Sequence, residues 1–280
     1  MTSTTTQTQT TTTSTETREQ REARLRPLAE EAAARFAALD ASGELTHLEL
    51  ADAVAAWAAQ TFGDSLTVAC SMADAVLPHV VAERAPGVDV LFLDTGYHFP
   101  ETLETRDRVA DLLDVTVVDV RPELTVAEQD AAHGKDLFAR DPASCCAMRK
   151  VEPLRRTLAG YDAWVTGVRR EEGPTRADTP LVTWDEGFGL VKVNPLATWT
   201  FDELLAYSER ELLPANPLLA QGYPSIGCAP CTRAVAPGED PRAGRWAGFA
   251  KTECGLHPGT PADTTTTIPT ANTDTEEDAR

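Results

Sequence analysis

Apolar residues recur at helical spacing from residue 18 to about 40, with Leu25, Leu28, Ala32, Phe36 and Leu39 on one face of a charged stretch. That period predicts an amphipathic packing helix. Thr46-His47-Leu48-Glu49 is a capping-box pattern and predicts a second helix to about Gln60, with Leu50, Val54 and Trp57 aligned. His47 then stands in a solvated first turn. From residue 66 the period changes. Leu66–Cys70, Val88–Leu93, Val115–Val120 and Ala163–Thr166 are short apolar runs suited to buried strands. Between them, Ser71–Ala75 is followed by a helical stretch to about Arg84, and further helical stretches run from Glu101 to Leu113 and from Cys145 to about Leu158. Strands alternating with helices predict an α/β fold with a mostly parallel sheet covered on both faces. Residues 181–193 read as a hairpin around Asp185-Glu186-Gly187. Thr200-Phe201-Asp202-Glu203 opens a further capped helix to about Leu212.

In such a sheet, ligands bind beyond the carboxyl ends of the strands, where the strand order reverses. Ser71 and Asp94 sit at such ends. Gly167 follows the fourth run and leads into Arg169, Arg170 and Arg176, a loop that suits an anion or is a solvated charged surface. A second basic loop carries Arg242 and Arg245. Cys70, flanked by apolar residues within a strand, reads as a core thiol.

Composition narrows the class. Residues 1–17 are Thr-rich and 259–280 are Thr-, Pro- and acid-rich; neither buries enough apolar surface to offset its ordering entropy, so both read as disordered tails. Residues 18–258 form one domain, with 242–258 as a C-terminal catalytic segment. A net charge of −19 disfavours non-specific nucleic-acid binding. It leaves room for a local basic pocket. No apolar run approaches the ~18 residues of a membrane span, and the Thr-rich start lacks the regions of a signal peptide. The expectation is a cytoplasmic protein without membrane attachment.

In a reducing compartment, six cysteines point to metal or redox chemistry, not to a disulfide framework. Cys228-Ala-Pro-Cys231 alone is open to zinc, an iron–sulfur centre or a redox dithiol. Together with the vicinal pair Cys145-Cys146 it makes a four-thiolate set. Adjacent side chains reach two irons of a cubane more easily than one tetrahedral zinc, which favours a [4Fe–4S] cluster. The remaining thiol, Cys254, lies in Lys251-Thr252-Glu253-Cys254-Gly255-Leu256-His257. Lys251 and His257 favour its thiolate and Glu253 opposes it.

These motifs, with Leu93-Asp94-Thr95-Gly96 and Thr166-Gly167-Val168-Arg169-Arg170, resemble the assimilatory adenylyl-sulfate (APS) reductases of the thioredoxin-dependent APS/PAPS reductase family, over about residues 45–258. The resemblance implies an adenine-nucleotide α-hydrolase-like sheet related to ATP pyrophosphatases. The Gly-rich loop of those enzymes is replaced here by Ser71-Met72-Ala73-Asp74-Ala75, which argues against pyrophosphate binding. By the same resemblance, Cys254 is the nucleophile that forms an S-sulfocysteine. Thioredoxin or a similar dithiol then releases sulfite. Cys145, Cys146, Cys228 and Cys231 hold the cluster, and Lys150 lies between cluster and substrate. Arg170, Arg242 and Arg245 bind the phosphosulfate; Ser71, Leu93 and Gly167 lie where the family holds phosphate, adenine and ribose. The family is often oligomeric, which makes a homo-oligomer a further expectation. Rival readings are a reductase for the 3′-phosphorylated substrate (PAPS), a non-catalytic adenylate-binding module, and a ferredoxin-like carrier.

Overall fold

The computed structural model describes residues 16–249, 251 and 253–256. The terminal tails and His257 lie outside the described residues, except that Glu16 and Thr17 are described. Thr17, expected in the tail, caps the first helix, α1 (Arg18–Ser42), through a capping box with Gln20. The same device opens α2 (His47–Phe62) with Thr46 and Glu49.

Among the described residues one six-stranded sheet runs in the order β3-β2-β1-β4-β6-β5. Its strands are β1 (Leu66–Ala69), β2 (Val88–Leu93), β3 (Val115–Val120), β4 (Ala163–Thr166), β5 (Val182–Asp185) and β6 (Leu190–Val193). Only β5, on the edge, is antiparallel, in the expected hairpin with β6. The centre is parallel, with Val68 of β1 opposite Val90 of β2 and Val165 of β4.

The connections explain where a site forms. β1, β2 and β3 step outward through α3 (Val76–Ala82) and α4 (Pro100–Leu112), whose Val80, Val81 and Val109 join the main core on one face. The chain then crosses back over β1 to β4 by way of α8 (Glu152–Leu158), whose Leu154 and Leu158 pack on the opposite face with Trp164. Right-handed crossovers force this change of face when the direction of winding reverses. β1 and β4 stay paired to their last residues, Ala69 and Thr166, and the loops that leave them diverge around a crevice.

One boundary follows the sequence expectation and one differs, each for a local reason. The helix expected after Ser71–Ala75 starts at Val76. Asp74 bridges to Ala215, Ala75 N–H donates to the Pro214 carbonyl, and Asp74 Oδ1 takes the Val76 N–H. These bonds hold 71–75 as a loop, with Met72 at φ 58°. The helix expected to open at Cys145 begins at Pro142, as α7 (Pro142–Cys146), because Asp141 accepts the Ser144 N–H and Pro142 fits its first turn. It continues through a π-helical turn, Ala147–Val151, into α8. Such turns are frequent at functional sites, and this one carries Lys150. A further capped helix, α5 (Val126–His133), opens with Thr125 and Glu128, ahead of the turn-rich 133–140 stretch.

Candidate active site

The crevice is a cleft of about 230 Å³. Ser71 enters it from the end of β1, Leu93 from β2 and Gly167 from β4. Lys150 reaches in from the π-helical turn, Arg242 and Arg245 from the last basic loop, and Cys254 from the C-terminal segment. All these residues come together as expected from the sequence. Arg170 does not. Its Nε donates to the Thr179 carbonyl at 2.9 Å, and its Nη1 pairs with Asp40 of α1 at 2.8 Å, outside the cleft. Arg169 and Arg176 line the cleft instead. Arg169 is extended (φ −118°, ψ 144°) and Arg170 opens a 3-10 turn, so the two side chains leave the loop in different directions and the first, not the second, lines the cleft.

The cations are held by packing as well as by charge. Arg245 Nη1 donates to Ser225 Oγ at 3.2 Å and to the Ile226 carbonyl at 3.3 Å. Its guanidinium lies against Gly227, where a Cβ would collide with it. Arg245 and Lys251 also sit 4.8 and 5.5 Å from the ring centroid of buried Trp246, within cation–π range. The Nε atoms of Arg169 and Arg245 are buried without a hydrogen-bond partner. Unsatisfied buried donors on the wall of a cleft suit an anion.

Cys254 is half-buried and packs on the second core face, beside Leu256, Val151 and Trp164. Lys150 is in the field of Cys228, Cys254 and Cys146. Burial opposes its charge, but these thiols outweigh burial and its pKa is raised. Burial raises the pKa of Cys146, and Lys150 and Lys251 oppose the rise. Glu253, expected to oppose the thiolate, turns its carboxylate to Arg176 and Arg242. Lys192 of β6 is a cation missed in the sequence; its ammonium stands 5.1 Å from the Trp164 ring centroid, and burial lowers its pKa.

Cys70 packs against the main core and also lines the cleft, half-buried, with its Sγ accepting the Met72 N–H at 3.4 Å. Burial pushes it up to about 12, so it stays a thiol.

The other four cysteines meet beside the cleft. Cys145 and Cys146 of α7 face Cys228 and Cys231, which flank a 3-10 turn, across one small cavity next to Lys150. Burial and the neighbouring thiols push Cys145 up to about 12 and Cys231 up to about 11. Among the described residues no three His, Cys, Asp or Glu side chains are set to hold a single metal ion.

With this geometry in place, comparison with known proteins decides the family. The phosphoadenosine phosphosulfate reductase domain matches residues 65–234, more than half of the chain. The chain belongs to this reductase family. Its match takes in the sheet from the end of η-turn 63–65 to the Cys228/Cys231 pair and stops short of the Cys254 segment. Among its relatives is the adenosine 5′-phosphosulfate reductase of Rhodococcus opacus, 58% identical over 211 residues, or 72% of this chain and 85% of the relative. That of Mycolicibacterium smegmatis is 56% identical over 236 residues, covering 84% and 96%. Among solved structures, the phosphoadenylyl-sulfate reductase of Candida auris, a phosphate complex, superposes with a TM-score of 0.56 at 28% identity, covering 69% of this chain and 91% of that one.

Proposed function

We propose that this chain reduces adenosine 5′-phosphosulfate to sulfite and AMP, with Cys254 as the nucleophile. The observation that carries the reading is the meeting of one thiol, Cys254, with Lys150, Arg242 and Arg245 in a single cleft at the crossover of β1 and β4. The relatives named as adenosine 5′-phosphosulfate reductases support the substrate.

The steps follow from the residues. The adenylate lies along Ser71, Leu93 and Gly167, with its phosphosulfate among the cations. The Cys254 thiolate attacks the sulfate sulfur. An S–S bond forms, the S–O bond to AMP breaks, and its electron pair leaves on the AMP phosphate. Lys150, Arg242 and Arg245 compensate the charge that develops on the leaving oxygen, and Arg169 takes the place expected of Arg170. A thiolate of thioredoxin, or of a similar dithiol carrier, then attacks Cys254 Sγ. Sulfite leaves with the bonding electrons, and the carrier's second thiol resolves the mixed disulfide, freeing Cys254 and leaving the carrier oxidised.

Cys145, Cys146, Cys228 and Cys231 fit a [4Fe–4S] cluster. Burial and neighbouring thiols raise the pKa values of Cys145, Cys146 and Cys231, and such thiols ionise together only around a shared cation. A vicinal pair facing a C-x-x-C pair across one cavity suits a multi-iron group better than zinc. When bound, such a cluster would supply a fixed charge beside the phosphosulfate, the electrons coming from the dithiol.

No helix among the described residues is long and apolar enough to cross a membrane; with the acidic net charge this fits a cytoplasmic enzyme that binds neither membrane nor nucleic acid. Assembly into a homo-oligomer belongs to the same reading. The test is sulfite release with thioredoxin under anaerobic conditions, APS and PAPS in parallel. Strong preference for APS supports the reading. Preference for PAPS, the substrate in the name of the Candida auris enzyme, keeps the Cys254 chemistry and changes the substrate. Sulfite from neither overturns it in favour of a binding module.

A further inference from the structure

We infer that Glu253 is a latch: its carboxylate docks the segment carrying Cys254 over the cleft, and so governs the division of turnover between the closed thiol-transfer step and the open discharge step. This inference rests on the reading of Cys254 as nucleophile.

Two separate pieces of chain, at 175–176 and at 242, converge on the one carboxylate. Arg176 Nε donates to Oε1 at 3.0 Å and its Nη2 to Oε2 at 2.9 Å, a bidentate fork. Thr175 Oγ1 donates to Oε1 at 3.2 Å, and Arg242 Nη2 donates to Oε2 at 3.1 Å. The side chains of Arg176, Arg242 and Glu253 are only 10%, 14% and 13% exposed. Burial alone would raise the carboxyl pKa, but the two guanidinium groups outweigh it and hold it below the usual carboxylate range. A forked, shielded, charge-assisted pair is among the stronger polar contacts a protein makes.

Leu256 and Cys254 pack on the second core face, a contact without direction. The Glu253 fork supplies the direction, and it is adjacent to the reacting sulfur in the chain. Arg242 is shared between the latch and the wall of the cleft. The substrate anion and the latch therefore draw on the same guanidinium, which couples occupancy of the cleft to the seating of the segment. Arg176 is already engaged by Glu172 at 2.6 Å and by Glu253, which makes it the fixed half of the catch. Glu253 is a positioning residue: it acts through Cys254 and touches no reacting atom.

The experiment uses the full chain carrying its cluster and compares wild type with Glu253→Gln and Glu253→Ala. Three quantities are read: the rate at which iodoacetamide alkylates Cys254, by peptide mass; the single-turnover rate of S-sulfo-Cys254 formation from APS; and the rate at which dithiothreitol discharges the pre-formed adduct. Loss of charge-assisted hydrogen bonds predicts, in both variants, alkylation faster and adduct formation slower by ~10-fold each, with discharge not slowed. Unchanged alkylation and adduct formation would overturn the latch. So would equal slowing of both half-reactions, which marks a merely structural role. If wild type forms no adduct with APS, the functional reading fails instead, and the alkylation rates still decide the latch.

Discussion

Thr95 Oγ1 lies 3.2 Å from Sγ of Cys228, with both residues buried. The hydroxyl oxygen also accepts the Tyr97 N–H at 3.3 Å, and its proton is the donor once Cys228 is a thiolate. The backbone carbonyl of the same residue accepts Arg149 Nε, from the π-helical turn. One threonine thus ties the loop after β2 to both halves of the cysteine set. Thr95→Val keeps the shape and removes the donor. A lost buried hydrogen bond lowers stability by ~1 kcal/mol, and a cluster held by Cys228 shifts to a more negative potential, since hydrogen bonds to sulfur help set it. Urea unfolding and a spectroelectrochemical titration check the two effects.

On the proposed reading, the two groups of cysteines separate by function. Cys254→Ser abolishes sulfite release while iron content, the visible chromophore and AMP binding stay as in wild type. Cys228→Ser does the reverse first: iron is lost, and activity falls with it. Iron assay and absorbance on anaerobically purified variants distinguish the outcomes. Loss of chromophore in Cys254→Ser would contradict the division of roles.

Arg169 and Arg170 are neighbours with different work. Arg169→Ala removes a cleft guanidinium whose Nε has no partner within the protein, and raises KM for APS by ~10-fold or more, from the 1.5–3 kcal/mol typical of a hydrogen bond to a charged group. Arg170→Ala removes the pair with Asp40 and costs under about 1 kcal/mol of stability, with KM within twofold of wild type. Steady-state kinetics beside thermal unfolding separates the two.

Tyr161 donates its hydroxyl to Asp89 Oδ2 at 2.6 Å. Burial, then the hydrogen bond to Asp89, pushes the phenol up to about 12. An unfolded tyrosine titrates near 10. The folded state therefore keeps a proton that the unfolded state loses, and stability falls as pH rises through that interval. The contribution is full below about pH 10 and gone once the folded phenol ionises. Thermal unfolding followed from pH 8 to 12 shows a decline that begins above about pH 10 in wild type and is shallower in Tyr161→Phe.

The strands, the order of the helices and the cysteine set were legible along the chain because each depends on local pattern. A period of two or 3.6, a Thr followed three residues later by Glu, and a C-x-x-C pair are written in neighbouring residues. Where a bond across the fold decides a side chain's direction, the pattern misled. Arg170, expected in the cleft, turns away to pair with Asp40 of α1, over a hundred residues away.

The sequence by itself determined that one thiol, four further thiols and a basic loop belong to one protein with a parallel sheet. Only the tertiary structure decided which cations face the thiol. Arg169 was chosen over Arg170, and Glu253 was turned from an opponent of Cys254 into a partner of Arg176. The physical reason is that the direction of a side chain in an irregular loop follows from backbone angles and from contacts across the fold. Neither is written in the order of residues, whereas the apolar period that builds the sheet is.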